Sequence, residues 1–158
     1  MTKPSLTSLL NDVGRAWETP EEARRLVEAA LLAYPDAEDA YVAAYRFYFY
    51  RNELPAAISI AEQCLRRVLA ELSLPADWRD LSASNAQGVD FSDPAMPRHR
   101  FLLFALNAYA YLLARLGKHA DADAAFAVVA RLDPADRIGA TRLRQVLQRG
   151  PDPDDSDD

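Results

Sequence analysis

Two stretches of the chain share one spacing of small, apolar and proline residues, and this recurrence restricts the possible folds more than any other feature. Counted from Glu18 and from Gly117, the shared positions follow at steps of five, four and eight residues. They are Ala23, Val27 and Pro35 in the first stretch and Ala122, Phe126 and Pro134 in the second. A third frame begins between them, at Asn52, with leucine in place of the proline. It lies one period of about 34 residues after the first frame, and such a period is typical of stacked repeat units.

Composition and periodicity indicate that the repeated unit is helical. Alanine, which has the best intrinsic helix propensity, occurs 29 times. Apolar residues recur at helical spacing over several long segments, with prolines and glycines between them. The sequence therefore predicts an all-α fold. Its expected helices cover about 6–13, 20–34, 40–50, 55–72, 98–116, 120–132 and 136–148, with Asp136 capping the last of them.

These features resemble the tetratricopeptide repeat (TPR), a 34-residue helix–turn–helix unit. The best match has Leu116 and Gly117 at its turn, followed by Ala122, Phe126 and Leu132-Asp133-Pro134. The resemblance comprises about three units, two of them degenerate, at 5–35, 38–72 and 101–134. It implies a solenoid of helical hairpins in which stacked units bury each other's apolar faces. The segment 73–97 is then an insertion between the second and third units, and 136–148 is a C-terminal capping helix. The spacing of that helix places Ile138, Leu143, Val146 and Leu147 on its inner side. Its arginines, Arg137, Arg142, Arg144 and Arg149, are expected to point outward.

Charge is distributed unevenly along the chain. The formal net charge is -6, but residues 151–158 hold five aspartates and no basic residue, so that the rest is nearly neutral. We expect one TPR-like domain over 1–150 and a disordered acidic tail over 151–158, because a short run of like charges and prolines buries too little apolar surface to order itself. A nearly neutral body excludes strong nucleic-acid binding, which depends on lysine and arginine displacing counterions.

The same composition predicts a cytoplasmic location. Cys64 is the single cysteine, so the chain forms no internal disulfide. The longest apolar stretch, 101–114, is interrupted by Asn107 and is too short to cross a hydrocarbon core of about 30 Å. The segment from Met1 to Gly14 lacks the apolar core of a signal peptide. Sixteen of the 18 basic residues are arginine, which hints at a GC-rich bacterial genome.

Catalytic and metal-binding patterns are absent from the sequence. The five glycines are scattered and form no phosphate-binding loop. Cys64 lies at apolar spacing on a predicted helix, which indicates burial rather than reactivity. His99 and His119 stand beside predicted helix ends, and with one cysteine they are too few for a zinc site of nitrogen and sulfur ligands. We therefore predict no enzymatic activity, no catalytic residue, no metal site and no cofactor.

The TPR resemblance implies a concave groove lined by the first helix of each unit. The groove residues would be Arg46, Phe49 and Tyr50 in the middle unit, and Phe104, Asn107, Tyr111 and Arg115 in the last unit. Arginine, amide and tyrosine side chains suit a peptide backbone and a carboxylate. The predicted function is a protein–protein interaction module, acting as an adaptor, assembly factor or chaperone that binds a peptide or protein segment.

The predicted helix 40–50 is unusually aromatic, and its role stays open at this point. Tyr41, Tyr45 and Tyr48 fall on one packing face, while other aromatic residues lie elsewhere around the helix. One interpretation is core packing, with Trp78 and Phe91 of the insertion as cover; the other is an exposed groove for which these two residues form a lid. Two further functions remain: a homo-oligomer, such as a homodimer, that uses this helix as its interface, and a bacterial secretion-type chaperone of similar size.

Overall fold

The computed structural model describes residues 3–149, and within that range the chain is all-helical, without strands. The all-α prediction is therefore confirmed. None of the helices in this part of the chain is long and apolar enough to cross a membrane. The predicted acidic tail, 151–158, lies outside the described residues. The helices are α1 (Leu6–Arg15), α2 (Pro20–Ala33), α3 (Glu38–Tyr50), α4 (Leu54–Glu71), α5 (Ala83–Ala86), α6 (Pro97–Arg115), α7 (His119–Leu132) and α8 (Ala140–Arg149), with a 3₁₀ helix at Trp78–Asp80.

Proline and glycine set most helix ends where the sequence predicts them. Pro20 occupies the first position of α2, where its missing N–H costs no hydrogen bond. The Thr19 side chain precedes this helix but makes no capping hydrogen bond, so the helix start depends on Pro20 and on acidic side chains in its first turn. Pro97 opens α6 in the same way. Gly117, at φ 78°, follows the end of α6 in the left-handed conformation that glycine adopts without strain.

The last helix begins later than predicted. The predicted start was Asp136, whereas α8 begins at Ala140. Asp136 still stabilises the helix start, because its carboxylate accepts hydrogen bonds from the backbone N–H groups of Thr141 (2.9 Å) and Arg142 (3.4 Å). A residue outside the helix therefore satisfies two of the donors that a first turn leaves unpaired.

The inner face of α8 also differs from the prediction. Val146 was expected on the inner side with Leu143 and Leu147, but its side chain is 60% exposed, while the two leucines are half-buried. Arg144, expected to point outward, is half-buried and forms an ion pair with Asp123 of α7. The helix is thus rotated so that an arginine, rather than a valine, faces its neighbours.

The chain divides into two compact units, Met1–Cys64 and Leu65–Asp158, and the division falls within α4. In the first unit, α2 packs against both α1 and α3, and α1 also contacts α3. In the second unit, α6 and α7 form a helical hairpin across a short turn, 116–118, and α8 packs against both. The solenoid arrangement and the unit boundaries implied by the TPR resemblance remain predictions.

The core of the first unit contains one aromatic face of α3. Tyr41, Phe47 and Tyr48 are buried, whereas Tyr45, predicted on the packing face, is half-buried. Phe47 has no exposed surface, and the guanidinium groups of Arg24 and Arg51 each stand 5.6 Å from the centre of its ring. The helix therefore buries a different set of rings from the one that periodicity suggested, with Phe47 at its centre.

The segment 73–97 is ordered and belongs to the core of the second unit. Trp78, Leu81 and Phe91 are 7%, 1% and 1% exposed. The Trp78 indole meets the Tyr109 ring of α6 edge-on at 6.0 Å, and the Phe91 ring meets the imidazole of His99 at 4.9 Å. The 3₁₀ helix and α5 both contact α7. A lid role for Trp78 and Phe91 would thus require removing both rings from the helix on which they pack.

Two aspartates stabilise loops of the second unit through hydrogen bonds. Asp133 is 2% exposed, and its carboxylate accepts hydrogen bonds from the backbone N–H groups of Arg137 (3.0 Å) and Ile138 (2.9 Å). Asp90 accepts hydrogen bonds from the backbone N–H (2.9 Å) and the hydroxyl (2.7 Å) of Ser92, and its second oxygen lies 3.3 Å from the Arg137 guanidinium. The segment 73–97 is thereby joined to the connection between α7 and α8.

The Asp90 contacts predict an acid-sensitive contribution to stability. The hydrogen bonds from Ser92 lower the pKa of Asp90 below its ordinary value of 3.8. A carboxyl group with a lowered folded-state pKa stabilises the fold at pH values above 3.8 and loses that contribution as the pH falls through the folded pKa. We expect Asp90→Asn to unfold at a lower temperature than the natural chain at pH 7, and the difference to shrink toward pH 3. Thermal unfolding across this range measures it, and a difference independent of pH would contradict the assignment.

Candidate functional site

An open cleft of about 450 Å³ lies on the first unit, between α1 and α3. The end of α1 and the turn after it form one wall, and the exposed face of α3 forms the other. Its lining residues are Leu10, Val13, Gly14 and Trp17 on the first wall, and Asp39, Val42, Ala43, Arg46 and Tyr50 on the second. A cleft of this volume is within the range of pockets that enclose small ligands or a few side chains of a peptide. It is called the α1–α3 cleft below.

Helical spacing explains how α3 presents a mixed surface to this cleft. Its lining positions recur at intervals of three and four residues, which places them on one face of the helix. Along that face, Asp39 lies in the first turn and Arg46 lies two turns later, with Val42 and Ala43 between them. The wall is therefore apolar in its middle and oppositely charged toward its two ends.

The aromatic end of the cleft is built on the buried core. Tyr50 is 70% exposed, and its ring meets the Trp17 indole edge-on at 6.2 Å. The same indole meets the buried Phe47 ring at 6.1 Å. The Arg51 guanidinium donates a hydrogen bond to the Trp17 carbonyl, which fixes the turn that carries the indole. Tyr50 thus offers a large exposed ring on a rigid support, the kind of side chain that contributes strongly to protein interfaces.

The two charged side chains of the cleft are not engaged by their own chain. Among residues 3–149, neither Arg46 nor Asp39 has an ion-pair or side-chain hydrogen-bond partner. Arg46 is exposed, as is Asp39. By contrast, Arg24 in the same unit is held by Glu53 at 2.6 Å. Arg46 can therefore bind a ligand carboxylate without first breaking an internal pair, and Asp39 can do the same for a cation.

The remaining predicted groove residues lie on one face of α6 in the second unit. Phe104 is 46% exposed, with the Arg100 guanidinium 5.3 Å from its ring centre. The Tyr111 hydroxyl accepts a hydrogen bond of 2.9 Å from Arg115. Asn107 is half-buried, and its side-chain oxygen is buried without a hydrogen-bond partner in the part of the chain that the structure describes. This face therefore has an aromatic end and a cationic end.

A second cleft, of about 360 Å³, lies among α6, α7 and α8. Arg115 is the predicted groove residue that lines it. Arg144 pairs with Asp123 across it at 3.2 Å, so its charge is largely compensated within the chain. The other lining residues are Ala114, His119, Ala122, Phe126, Leu147 and Gln148. We refer to it as the C-terminal cleft.

The structure divides the predicted groove residues into three groups. Arg46 and Tyr50 share the α1–α3 cleft. Phe49, on the same helix, is half-buried and stacks on Tyr45, with ring centres 5.7 Å apart. The four predicted residues of α6 belong to the second unit, and a groove that joins them to Arg46 and Tyr50 remains a prediction. Gly14 and Trp17 also line the α1–α3 cleft but were not predicted as site residues. For Gly14 a signal was present in the sequence, because this glycine stands beside a predicted amphipathic helix.

The residues weighed for chemistry occupy ordinary positions. Cys64 is buried, as predicted from its spacing. His99 packs on Phe91, and His119 is the exposed first residue of α7. Over residues 3–149, no group of three or more histidine, cysteine, aspartate or glutamate side chains is placed to hold a metal ion. The absence of enzymatic activity remains a prediction.

Comparison with known proteins shows the family of this chain. It belongs to the same family as a protein of Azotobacter chroococcum mcd 1. That relative is named "Uncharacterized 19.8 kDa protein in nifW 5'region", and the two are 33% identical over 145 residues, which cover 88% of this chain and 80% of the relative. No family model matches the sequence. No solved structure is significantly similar to it.

Proposed function

We propose that the protein is a non-enzymatic, cytoplasmic interaction module with a TPR-like arrangement, which binds an extended segment of another protein in the α1–α3 cleft. The observation that carries the proposal is the joint placement of Arg46 and Tyr50 at the rim of this cleft. Both residues are groove positions under the TPR resemblance, and α1 and α3 are the first helices of its first two units. An exposed ring beside an unpaired guanidinium suits a peptide with an apolar side chain and a carboxylate.

Selection from a phage-displayed library of random peptides tests this function even though the partner is not identified. We expect the full chain to enrich related sequences whose binding weakens at least tenfold in Arg46→Glu, since the substitution removes a cation and places an anion beside the bound carboxylate. Arg66→Glu is the matched control, because it makes the same charge change at an exposed position of α4. No enrichment, or equal weakening by both variants, would contradict peptide binding at this cleft.

The relative's name suggests a first protein to test as a partner. Its gene lies in the 5' region of nifW. Genes that are neighbours can encode proteins that act together, so we propose the nifW product as the first candidate partner. Calorimetric titration of the purified nifW product into the chain, repeated with Arg46→Glu, should show binding that depends on Arg46. If neither the natural chain nor the Arg46→Glu variant gives a heat of binding, this partner is excluded. The peptide selection would then still test the cleft.

Homo-oligomerisation through the aromatic helix is the alternative proposal. Burial of Tyr41, Phe47 and Tyr48 within the first unit leaves Tyr50 as the strongly exposed ring of α3, which favours peptide binding over a broad aromatic interface. We expect light scattering to give the mass of a single chain at high protein concentration. A dimer mass that returns to the single-chain value in Tyr50→Ala would favour the alternative. The choice between an adaptor, an assembly factor and a secretion-type chaperone depends on the identity of the partner.

A further inference from the structure

Gly14 has no structural reason to be glycine within its own chain. It lies inside α1, where glycine is less favourable than alanine. It is not among the residues with positive φ, so the backbone does not require it. A Cβ atom at this position would meet nothing within 4 Å, so no neighbouring group of the chain requires it either. Where neither conformation nor internal packing explains a glycine, close approach of another molecule's backbone is a physical reason for it.

The repeat frames sharpen this observation. Gly14 stands four residues before the first repeat frame, which begins at Glu18. The equivalent positions, four residues before the frames at Asn52 and Gly117, are Tyr48 and Leu113. These two side chains are only 8% and 3% exposed. The first frame therefore has an open space where the other two frames have a large buried side chain. That space opens into the α1–α3 cleft, which Gly14 lines.

We propose that the α1–α3 cleft binds an extended peptide whose backbone passes over Gly14, with a basic residue at Asp39 and an acidic residue at Arg46. This inference rests on the proposed function and adds to it the class of ligand and the placement of its two charges along α3. The occupant is a segment of a partner protein with charges complementary to the two ends of the cleft.

Helix and strand geometry fix the spacing of the two ligand charges. Asp39 and Arg46 are seven residues apart on α3, which corresponds to about 10 Å along the helix axis. An extended chain in the polyproline II conformation rises about 3.1 Å per residue with three residues per turn. Side chains three positions apart therefore lie on one face of the peptide, about 9 Å apart, and can meet Asp39 and Arg46 together. Val42 and Ala43 lie between the charges on the cleft wall, opposite Leu10. An apolar ligand residue between the two charged ones would fill this section. The ligand therefore carries a basic and an acidic residue three positions apart, with an apolar residue between them.

Arrays of short synthetic peptides test the pattern directly. One set carries lysine and glutamate three positions apart around a leucine, in both orders along the peptide; a second set carries lysine at both positions, and a third carries glutamate at both. We expect the full chain to bind the first set at least tenfold more strongly than the other two. Asp39→Arg should instead prefer the third set, and Arg46→Asp should prefer the second. Equal binding of the three sets, or preferences that these variants leave unchanged, would overturn the inference.

Substitution of Gly14 separates the inference from the proposed function. Gly14→Ala should raise the melting temperature by about 2–4 °C, because alanine is the better helix former, and should weaken peptide binding several-fold. Gly14→Leu should abolish binding without lowering the melting temperature, since its Cβ enters open space. Ser8→Leu, at an exposed position of α1 that does not line the cleft, is the control and should bind normally.

The combination of variants assigns each outcome. If Arg46→Glu removes binding but Gly14→Leu binds like the natural chain, the peptide does not pass over Gly14 and the inference fails while the proposed function stands. If Arg46→Glu and Gly14→Leu both bind normally, the cleft is not the binding site and both proposals fail. A gain in melting temperature together with a loss of binding in Gly14→Ala supports both, because a purely structural role predicts the gain alone.

Discussion

Replacement of Trp78 by alanine is expected to lower the free energy of unfolding by about 3–5 kcal/mol, the range typical of large aromatic side chains removed from a core. The indole is 7% exposed and meets the Tyr109 ring edge-on. The Arg79 guanidinium lies 4.3 Å from the indole ring centre. Alanine would leave a cavity between the segment 73–97 and α6 that these neighbours cannot fill without moving.

Urea unfolding followed by circular dichroism measures this loss, and the Trp78→Phe variant serves as the control. Phenylalanine retains most of the buried ring, so we expect it to restore more than half of the lost stability. The same comparison distinguishes a core residue from a movable lid. A Trp78→Ala variant with the stability of the natural chain would show that the indole leaves its site readily, contrary to its burial.

Replacement of Phe47 by alanine should have an effect of the same size in the first unit, again about 3–5 kcal/mol. The ring has no exposed surface and contacts the rings of Trp17 and Tyr48. The guanidinium groups of Arg24 and Arg51, each 5.6 Å from the ring centre, would both lose their contact with the ring. Because Trp17 forms part of the α1–α3 cleft, we also expect the variant to lose peptide binding.

Phe49→Ala is the matched control, because it removes the same side chain two residues away on the same helix. It is half-buried and packs against Tyr45 and Tyr50. We expect Phe49→Ala to cost less than half as much stability as Phe47→Ala, because part of its surface is already in contact with water, whereas Phe47 has no exposed surface. Equal losses from the two variants, measured by urea unfolding, would contradict the assignment of Phe47 to the core and Phe49 to its edge.

Local sequence signals were sufficient for most helix boundaries. Pro20 and Pro97 start helices because a proline N–H is not needed in a first turn, and Gly117 follows a helix because it adopts a positive φ without strain. Such effects act within a few residues of the boundary and can therefore be read from one sequence. The burial of Cys64 followed from helical spacing in the same way.

Burial that depends on distant partners was not predictable in this way. Trp78, Leu81 and Phe91 stand among turn-forming residues with no helical or strand periodicity, so nothing local indicates that they are core residues. Val146 shows the opposite error. Its spacing on α8 suggested burial, but the later helix start and the Arg144–Asp123 pair turn a different face inward. In both cases the deciding contacts are with residues far away in the sequence.

The candidate site was predicted only in part, for the same reason. Arg46 and Tyr50 follow from the repeat register, which specifies one face of one helix. Trp17 follows a helix end and became part of the cleft through the rings of Phe47 and Tyr50. Gly14 can be noticed in the sequence as a glycine beside a predicted helix, but its place at the cleft depends on the empty space around it, which the structure shows. Helical periodicity predicts which residues share a face of one helix, but a cleft depends on how two helices pack against each other.

The contact between Asp90 and Arg137 has a consequence for synthesis on the ribosome. The two residues are 47 positions apart, and the segment that carries Asp90 also packs on α7, which is made later. At typical rates of about 5–20 residues per second, roughly 2–10 s pass between the emergence of these two partners. During that time the apolar side chains of the segment already exist, while part of the surface that will cover them has not yet been synthesised. The nascent chain is therefore most exposed to aggregation, and most accessible to chaperones, just before α7 and its C-terminal connection leave the exit tunnel.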